Sequence, residues 1–186
     1  MRKLHFAIGA MLLTAPCWVA AASPEGWFLA GSDPGSYTMV RDTTVTREGR
    51  SSGRLASTTT PKGFGTMMQS FEPGEYLGKR VRMTGYVRAK DVKKWAGLWL
   101  RVDGKTREVL SFDNMQDRPI KGTSDWKRHD IVLDVPAEAS NISFGILLDG
   151  TGTVWLTDMR FDVVDTSVPT TGTAKRSRPT NLNFER

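Results

Sequence analysis

The sequence holds one cysteine, Cys17, two histidines, His5 and His129, and no apolar run long enough to cross a bilayer as a helix. Each shortage removes a class of function. Cys17 falls in the first 22 residues, which read as an export signal, so the rest of the chain has no disulfide, no thiolate nucleophile and no cysteine metal ligand. His129 alone cannot build a multi-histidine metal site. His-Glu-x-x-His and a phosphate-binding loop are both missing, which leaves no recognisable metalloprotease or nucleotide-binding motif. No 3.6-residue apolar stripe extends beyond about two turns, so a helical bundle is excluded as well.

What is present begins with Met1-Arg2-Lys3, an apolar run from Phe6 to Leu13, and Ala20-Ala21-Ala22. That is the charged, hydrophobic and small-residue order of a secretory signal, with cleavage expected after Ala22. Pro16 before Cys17 is a poor fit to lipoprotein processing. The 26 basic and 20 acidic side chains become 24 and 20 once Arg2 and Lys3 are removed. The remaining charge is mild and scattered, at Lys79-Arg80, Lys93-Lys94 and Lys127-Arg128, which suits a solvated surface with some preference for anionic partners. Export places the protein in the periplasm or outside the cell, with no membrane span, and argues against nucleic acid as a partner. Residues 23–165 are a comfortable size for one self-sufficient domain.

Alternation at period two dominates that domain. In residues 80–90, Val81, Met83, Val87 and Ala89 point one way, while Arg82, Thr84, Tyr86, Arg88 and Lys90 point the other. Residues 141–149 repeat the pattern, with Ile142, Phe144, Ile146 and Leu148 inward and Ser143, Gly145, Leu147 and Asp149 outward. Further strands are expected near 37–42, 52–58, 65–72, 95–103, 108–113, 126–135 and 153–164, separated by turn signals such as Pro73-Gly74, Asp103-Gly104 and Asp149-Gly150. Nine or ten short strands predict an all-β, two-sheet antiparallel β-sandwich of jelly-roll type. Residues 166–180 turn to Thr, Ser, Pro, Gly, Lys and Arg and read as a linker. Residues 181–186 bring apolar alternation back and suggest a returning C-terminal strand.

Three blocks carry a resemblance: GLWLRVDG at 97–104, FDNMQDRPIKGTSDW at 112–126 and FGILLDGTGTVWLTDMRFDVV at 144–164. From about residue 26 to 165 the chain resembles the galactose-binding-like, carbohydrate-binding-module-like jelly rolls. Such modules occur alone in exported bacterial proteins and also appended to transcription regulators and proteases. The resemblance implies a fold and a binding role without fixing a ligand. In those modules the first strand often opens with Asn-Leu-x-Phe-Glu, whose glutamate and an aspartate near the last strand can hold a structural calcium. Here the opening at 23–29 departs from that pattern, and Asn181-Leu182-Asn183-Phe184-Glu185 stands at the other end. The resemblance therefore implies a permuted strand, with Asp158 and Glu185 as candidate calcium ligands.

Two constellations are candidates for binding. On the strand 95–102, Trp95, Gly97, Trp99 and Arg101 share the face opposite Ala96, Leu98, Leu100 and Val102. The second set is the natural core face, which leaves Trp95, Trp99 and Arg101 on a sheet surface, joined by Arg82, Tyr86 and Arg88 from a possible neighbouring strand. An indole is a flat platform for the apolar face of a sugar ring, while Arg, Asp and Asn take its hydroxyls. The alternative is that both tryptophans are packed under loops or in the core. The second constellation is Asp103, Asp113, Asn114, Asp117 and Arg118, which can clamp a polyol or an anionic group. These residue types are equally ordinary in turns.

Glycoside hydrolysis usually needs only two carboxylates, which Asp103, Asp113, Asp117 and Asp149 could in principle supply. The expected function is a non-catalytic envelope module that binds a saccharide or glycan. The alternatives are an envelope protein–protein interaction domain and a glycan hydrolase or lyase.

Overall fold

The computed structural model describes residues 22–172. Residues 1–21 of the expected export signal, most of the expected linker, the expected strand at 181–186 and Glu185 lie outside the described residues. No helix among the described residues is long and apolar enough to cross a membrane.

The described residues form nine antiparallel strands: β1 (Phe28–Gly31), β2 (Tyr37–Arg47), β3 (Arg50–Ser57), β4 (Phe64–Phe71), β5 (Lys79–Gly104), β6 (Val109–Asp113), β7 (Ile120–Val135), β8 (Ala139–Asp149) and β9 (Thr153–Val164). They form a β-sandwich of jelly-roll type, and β5 is its hinge. Residues 79–90 of β5 pair with β7 on one side and β9 on the other, and β9 continues to β3 and β2. Residues 95–104 pair with β8 and β6, and β8 continues to β4 and β1. One strand thus serves both sheets. The switch falls at 90–95, where the register with β7 shifts repeatedly and Asp91 adopts a left-handed φ of 54°. Irregularities of this kind let a strand turn a corner between sheets.

The core lies where the inward alternating residues of the two sheets meet. Val81, Met83, Val87 and Ala89 face it from one sheet, and Ala96, Leu98, Leu100, Val102, Ile142, Ile146 and Leu148 from the other, all at most 2% exposed. An aromatic cluster closes one end, with Phe144 edge-to-face on Trp27, Phe71 and Phe161 at centroid distances of 4.9–5.9 Å. Such pairs contribute about 0.5–1.5 kcal/mol each beyond area burial.

Three expectations need correction. The runs 80–90 and 95–103 are one continuous strand, because nothing at 91–94 removes a ladder donor. Residues 166–172 are docked: Arg80 donates to the carbonyls of Thr166 and Val168, and the Thr171 N–H donates to Val132 O. Composition did not foresee this, since the docking uses backbone groups that any sequence possesses. At Asp158 the charge expected to meet calcium is met by guanidiniums, Arg47 Nη1 at 2.7 Å on Oδ2 and Arg50 Nε on Oδ1. Burial alone would raise the Asp158 pKa, but the hydrogen bonds from Arg50 and Arg47 outweigh it and hold the group below the usual carboxylate range. Among the described residues no three His, Cys, Asp or Glu side chains gather to hold a metal.

Candidate functional site

The outward face of the sheet β1-β4-β8-β5-β6 is hollowed into a groove of about 580 Å³. Alternation decides its lining. Because Ala96, Leu98, Leu100 and Val102 are driven into the core, Trp95, Trp99, Arg101 and Asp103 must stand on the other side, and all four line the groove. β8 adds Ser143, Leu147 and Asp149, β4 adds Phe64, Thr66 and Met68, and β6 with its following turn adds Phe112 and Asn114.

Trp99 forms the floor. It is 9% exposed, and its Nε1 donates to Thr66 Oγ1 at 2.8 Å while Thr66 donates to Ile146 O. Trp99 is on β5 and Thr66 on β4, so the indole has to stretch across the intervening β8. Gly145, directly opposite Trp99 in the register, leaves that path free of a side chain. Trp95 is half-buried and stands at one end, level with Asp149. A second glycine, Gly97, lets the 113–115 turn approach: a Cβ there would lie 2.8 Å from Asn114 O. The turn can therefore carry Asn114 into the groove between the two tryptophans.

Charge inside the groove is balanced locally. Arg101 Nε donates to Asp103 at 2.7 Å, and Lys94 Nζ donates to both oxygens of Asp149 at 3.0 Å. Ser143 Oγ accepts from Asn141 at 2.9 Å and is 2.8 Å from Ser70 Oγ. The surface offers a planar aromatic floor and walls bearing hydroxyl, amide, carboxylate and guanidinium groups in reach of one another.

The residues singled out in the sequence divide. Trp95, Trp99 and Arg101 of the first constellation line one groove with Asp103 and Asn114 of the second. Arg82, Tyr86 and Arg88 do not join them, because they belong to the 79–90 half of β5 and its outward face is that of the other sheet. There Arg47 lies 3.5 Å over the Tyr86 ring, and Arg88 faces Trp155 and Asp125.

Asp113, Asp117 and Arg118 act as a brace. Asp113 pairs with core-facing Leu100, so its side chain leaves β6 on the side away from the groove, while Phe112, opposite Arg101, faces it. The Asp113 carboxylate accepts from Met115 N–H at 2.8 Å, from Arg118 and from Thr171, and Arg118 reaches Asp117 at 2.8 Å. Burial pushes the Asp113 pKa up, but the hydrogen bonds from Arg118, Thr171 and Met115 hold it below the usual range. The sequence reading missed Phe64, Thr66, Met68, Phe112, Ser143 and Leu147. Ser143 and Leu147 were readable as outward positions of the 141–149 alternation, whereas Phe64 and Phe112 carried no local signal.

No family model matches the chain. The uncharacterized HTH-type transcriptional regulator YbfP of Bacillus subtilis (strain 168) is 44% identical over 167 residues, 87% of this chain and 57% of that protein. The chain therefore spans little more than half of that relative's length. Among solved structures, the CBM22-1 xylan-binding domain of Paenibacillus barcinonensis Xyn10C superposes with a TM-score of 0.57 at 11% identity, covering 77% of this chain and 89% of that one. TmCBM61 in complex with β-1,4-galactotriose gives 0.51 at 11% identity, covering 77% and 92%. The fold is that of a carbohydrate-binding module. At such identities the likeness extends to the fold alone.

Proposed function

We propose that this protein is a non-catalytic module of the cell envelope or exterior that binds a saccharide in the groove over Trp99. The observation that carries the reading is the convergence of Trp95, Trp99, Arg101, Asp103 and Asn114 on one 580 Å³ groove whose floor is an indole pinned by its N–H. A pyranose would lay its apolar face on the aromatic lining and exchange its hydration for the hydroxyl, amide and charged groups of the walls.

Binding without catalysis is favoured by where the carboxylates sit. Asp149 is level with Trp95, and Asp103 is eight residues further along β5, about 26 Å at the rise of a strand. Glycosidases hold their two carboxyl groups about 5–9.5 Å apart.

A second reading follows from the 44% relative, which is named a transcriptional regulator. In that setting the same groove would receive an effector for an attached regulatory part. An envelope protein partner remains the reading to beat if Phe64 and Phe112, 38% exposed each, act as anchors in place of sugar contacts.

Titration with xylohexaose and galactotriose, followed by calorimetry and tryptophan fluorescence, tests the proposal. Saturable binding that weakens about tenfold in Trp95→Ala, with the melting temperature unchanged, supports it. No binding to any neutral oligosaccharide across a glycan array overturns it.

A further inference from the structure

The sheet opposite the groove presents a further tryptophan, Trp155, in a setting of different charge. β9 pairs with β5 and β3 so that Arg88, Trp155 and Arg54 form one row across three strands. Their sequence neighbours Val87, Ala89, Val154, Leu156 and Leu55 are all core, so the three side chains stand together on the outer face. Trp155 is 8% exposed and held in place, its Nε1 donating to Asp42 Oδ2 at 2.9 Å. Arg88 approaches the same indole at 6.0 Å.

We propose that this face carries an anion-binding site in which Arg54 and Arg88 grip a phosphate-type oxyanion over Trp155. Arg54 supplies the decisive observation. Its Nε is buried and has no hydrogen-bond partner, and among the described residues its guanidinium meets no carboxylate. A buried donor without an acceptor is costly, so an acceptor is called for from outside the protein.

The acids of this face are already engaged. Asp42 accepts from Trp155, from Thr44 through both its N–H and hydroxyl, and from Val45; Asp130 pairs with Arg128, Asp134 with Arg80, and Asp158 with Arg47 and Arg50. Among the described residues only the exposed Asp125 touches Arg88, at 3.8 Å through water-facing groups, and Asp162 stands three outward rows away across from Arg82. Lys90, the next outward position of β5, adds a further cation beside the row.

Arg54 and Arg88 start from strands on either side of β9, about 10 Å apart at the spacing of a sheet. Both can lean over the indole between them and present their planar forks to one tetrahedral oxyanion, the geometry in which guanidinium recognition is strongest. The oxyanion can come from free phosphate or from a phosphorylated polymer, and the chemistry of the site is the same for both.

Calorimetric titration of the full chain with inorganic phosphate and with long-chain polyphosphate, at fixed ionic strength, tests the site. Saturable binding is expected, reduced about tenfold by Arg88→Gln and by Arg54→Gln and unchanged by Arg101→Gln in the groove. Arg88 is exposed, so its variant folds even if Arg54→Gln does not. Affinity per phosphate that is much higher for the polymer identifies a polymeric source; equal affinity identifies the free ion. Absence of saturable binding to both probes overturns the proposal, as does binding that survives Arg88→Gln. Because the groove variant is measured alongside, failure here leaves the saccharide reading untouched.

Discussion

At the scale of single residues, the two groove tryptophans have separable jobs. Trp95 is half-buried at the groove's end and its indole makes no hydrogen bond among the described residues, whereas Trp99 is built into the sheet surface through Thr66. Trp99→Ala is therefore expected to cost about 3–5 kcal/mol of stability as well as affinity, because it leaves a cavity and removes the donor to Thr66 Oγ1. This revises the expectation from alternation alone, which placed Trp99 on a surface where truncation would leave the fold intact. Denaturant melts of the two alanine variants beside their saccharide affinities check it; equal melts for both would show that Trp99 is only a platform. Titration behaviour also belongs here. Burial lowers the His129 pKa, and the charges of Lys127 and Arg118 lower it further, so the folded state favours neutral imidazole. Burial would raise the Asp42 pKa, yet hydrogen bonds from Val45, Trp155 and Thr44 carry it down to about 2. The signs agree. A depressed histidine makes the protein less stable as pH falls through about 6.5, and a depressed carboxylate removes stability as pH falls from about 4 towards that folded value. Melting temperature should thus decline in two stages on acidification, with the upper stage missing in His129→Gln and the lower one reduced in Asp42→Asn.

At the scale of elements, the groove depends on parts that touch no ligand. A Cβ at Gly145 would fall 2.2 Å from Met67 O and 2.9 Å from Met68 Cα, so Gly145→Ala must push β4 away from β8 beneath Trp99. Overpacking of this kind costs about 1–3 kcal/mol, and here it should weaken saccharide affinity in step with the melt. The docked segment 165–172 is a second remote support. Thr171 accepts from Val132 N–H at 2.9 Å and donates to Asp113, which in turn holds the turn that presents Asn114. Thr171→Val should lower stability by about 1–3 kcal/mol and relax the Phe112–Asn114 rim, read as a faster ligand off-rate. An unchanged off-rate would confine the segment to stability. The strands themselves were legible because burial writes period two into Val81 to Ala89, Ala96 to Val102 and Ile142 to Leu148. The site was legible only within one strand half. Trp95, Trp99, Arg101 and Asp103 share a face by local geometry, but the company they keep is decided by strand order, which pairs 79–90 with β7 and β9 and 95–104 with β8 and β6. Local alternation is blind to that switch, so Arg82, Tyr86 and Arg88 were assigned to the wrong sheet. Asp113 and Arg118 looked like ligand contacts because composition cannot tell a brace from a clamp.

For the whole molecule, one strand feeding two sheets gives the module two outward faces with opposite electrostatic habits. In the groove Arg101 is met by Asp103 and Asp149 by Lys94, so a neutral ligand arriving there sees paired charges whose fields cancel over a few ångströms. On the other face Arg54 and Lys90 meet no carboxylate among the described residues, and the chain as a whole carries a formal +6. Salt screens exposed charges over a Debye length of about 10 Å at 0.1 M and about 3 Å at 1 M. It should therefore act unequally on the two faces. Affinity for a neutral oligosaccharide is expected to change less than about twofold between 0.05 and 0.5 M sodium chloride, since stacking and hydrogen bonds to neutral hydroxyls carry it. Affinity for polyphosphate over the same range should fall by more than about tenfold. Titrating one sample with both probes, separately and then together, also reports whether the faces communicate. Ala89 and Ala96 are both core, and β5 runs uninterrupted beneath Trp155's neighbour Arg88 and Trp99 alike, so any coupling has to pass through the bend at 90–95. The register shifts and the left-handed Asp91 at that bend interrupt the regular ladder on which such coupling would travel. The two ligands should accordingly bind with unchanged affinity in each other's presence, and a shift larger than about threefold in either constant would mean that β5 transmits strain between its halves.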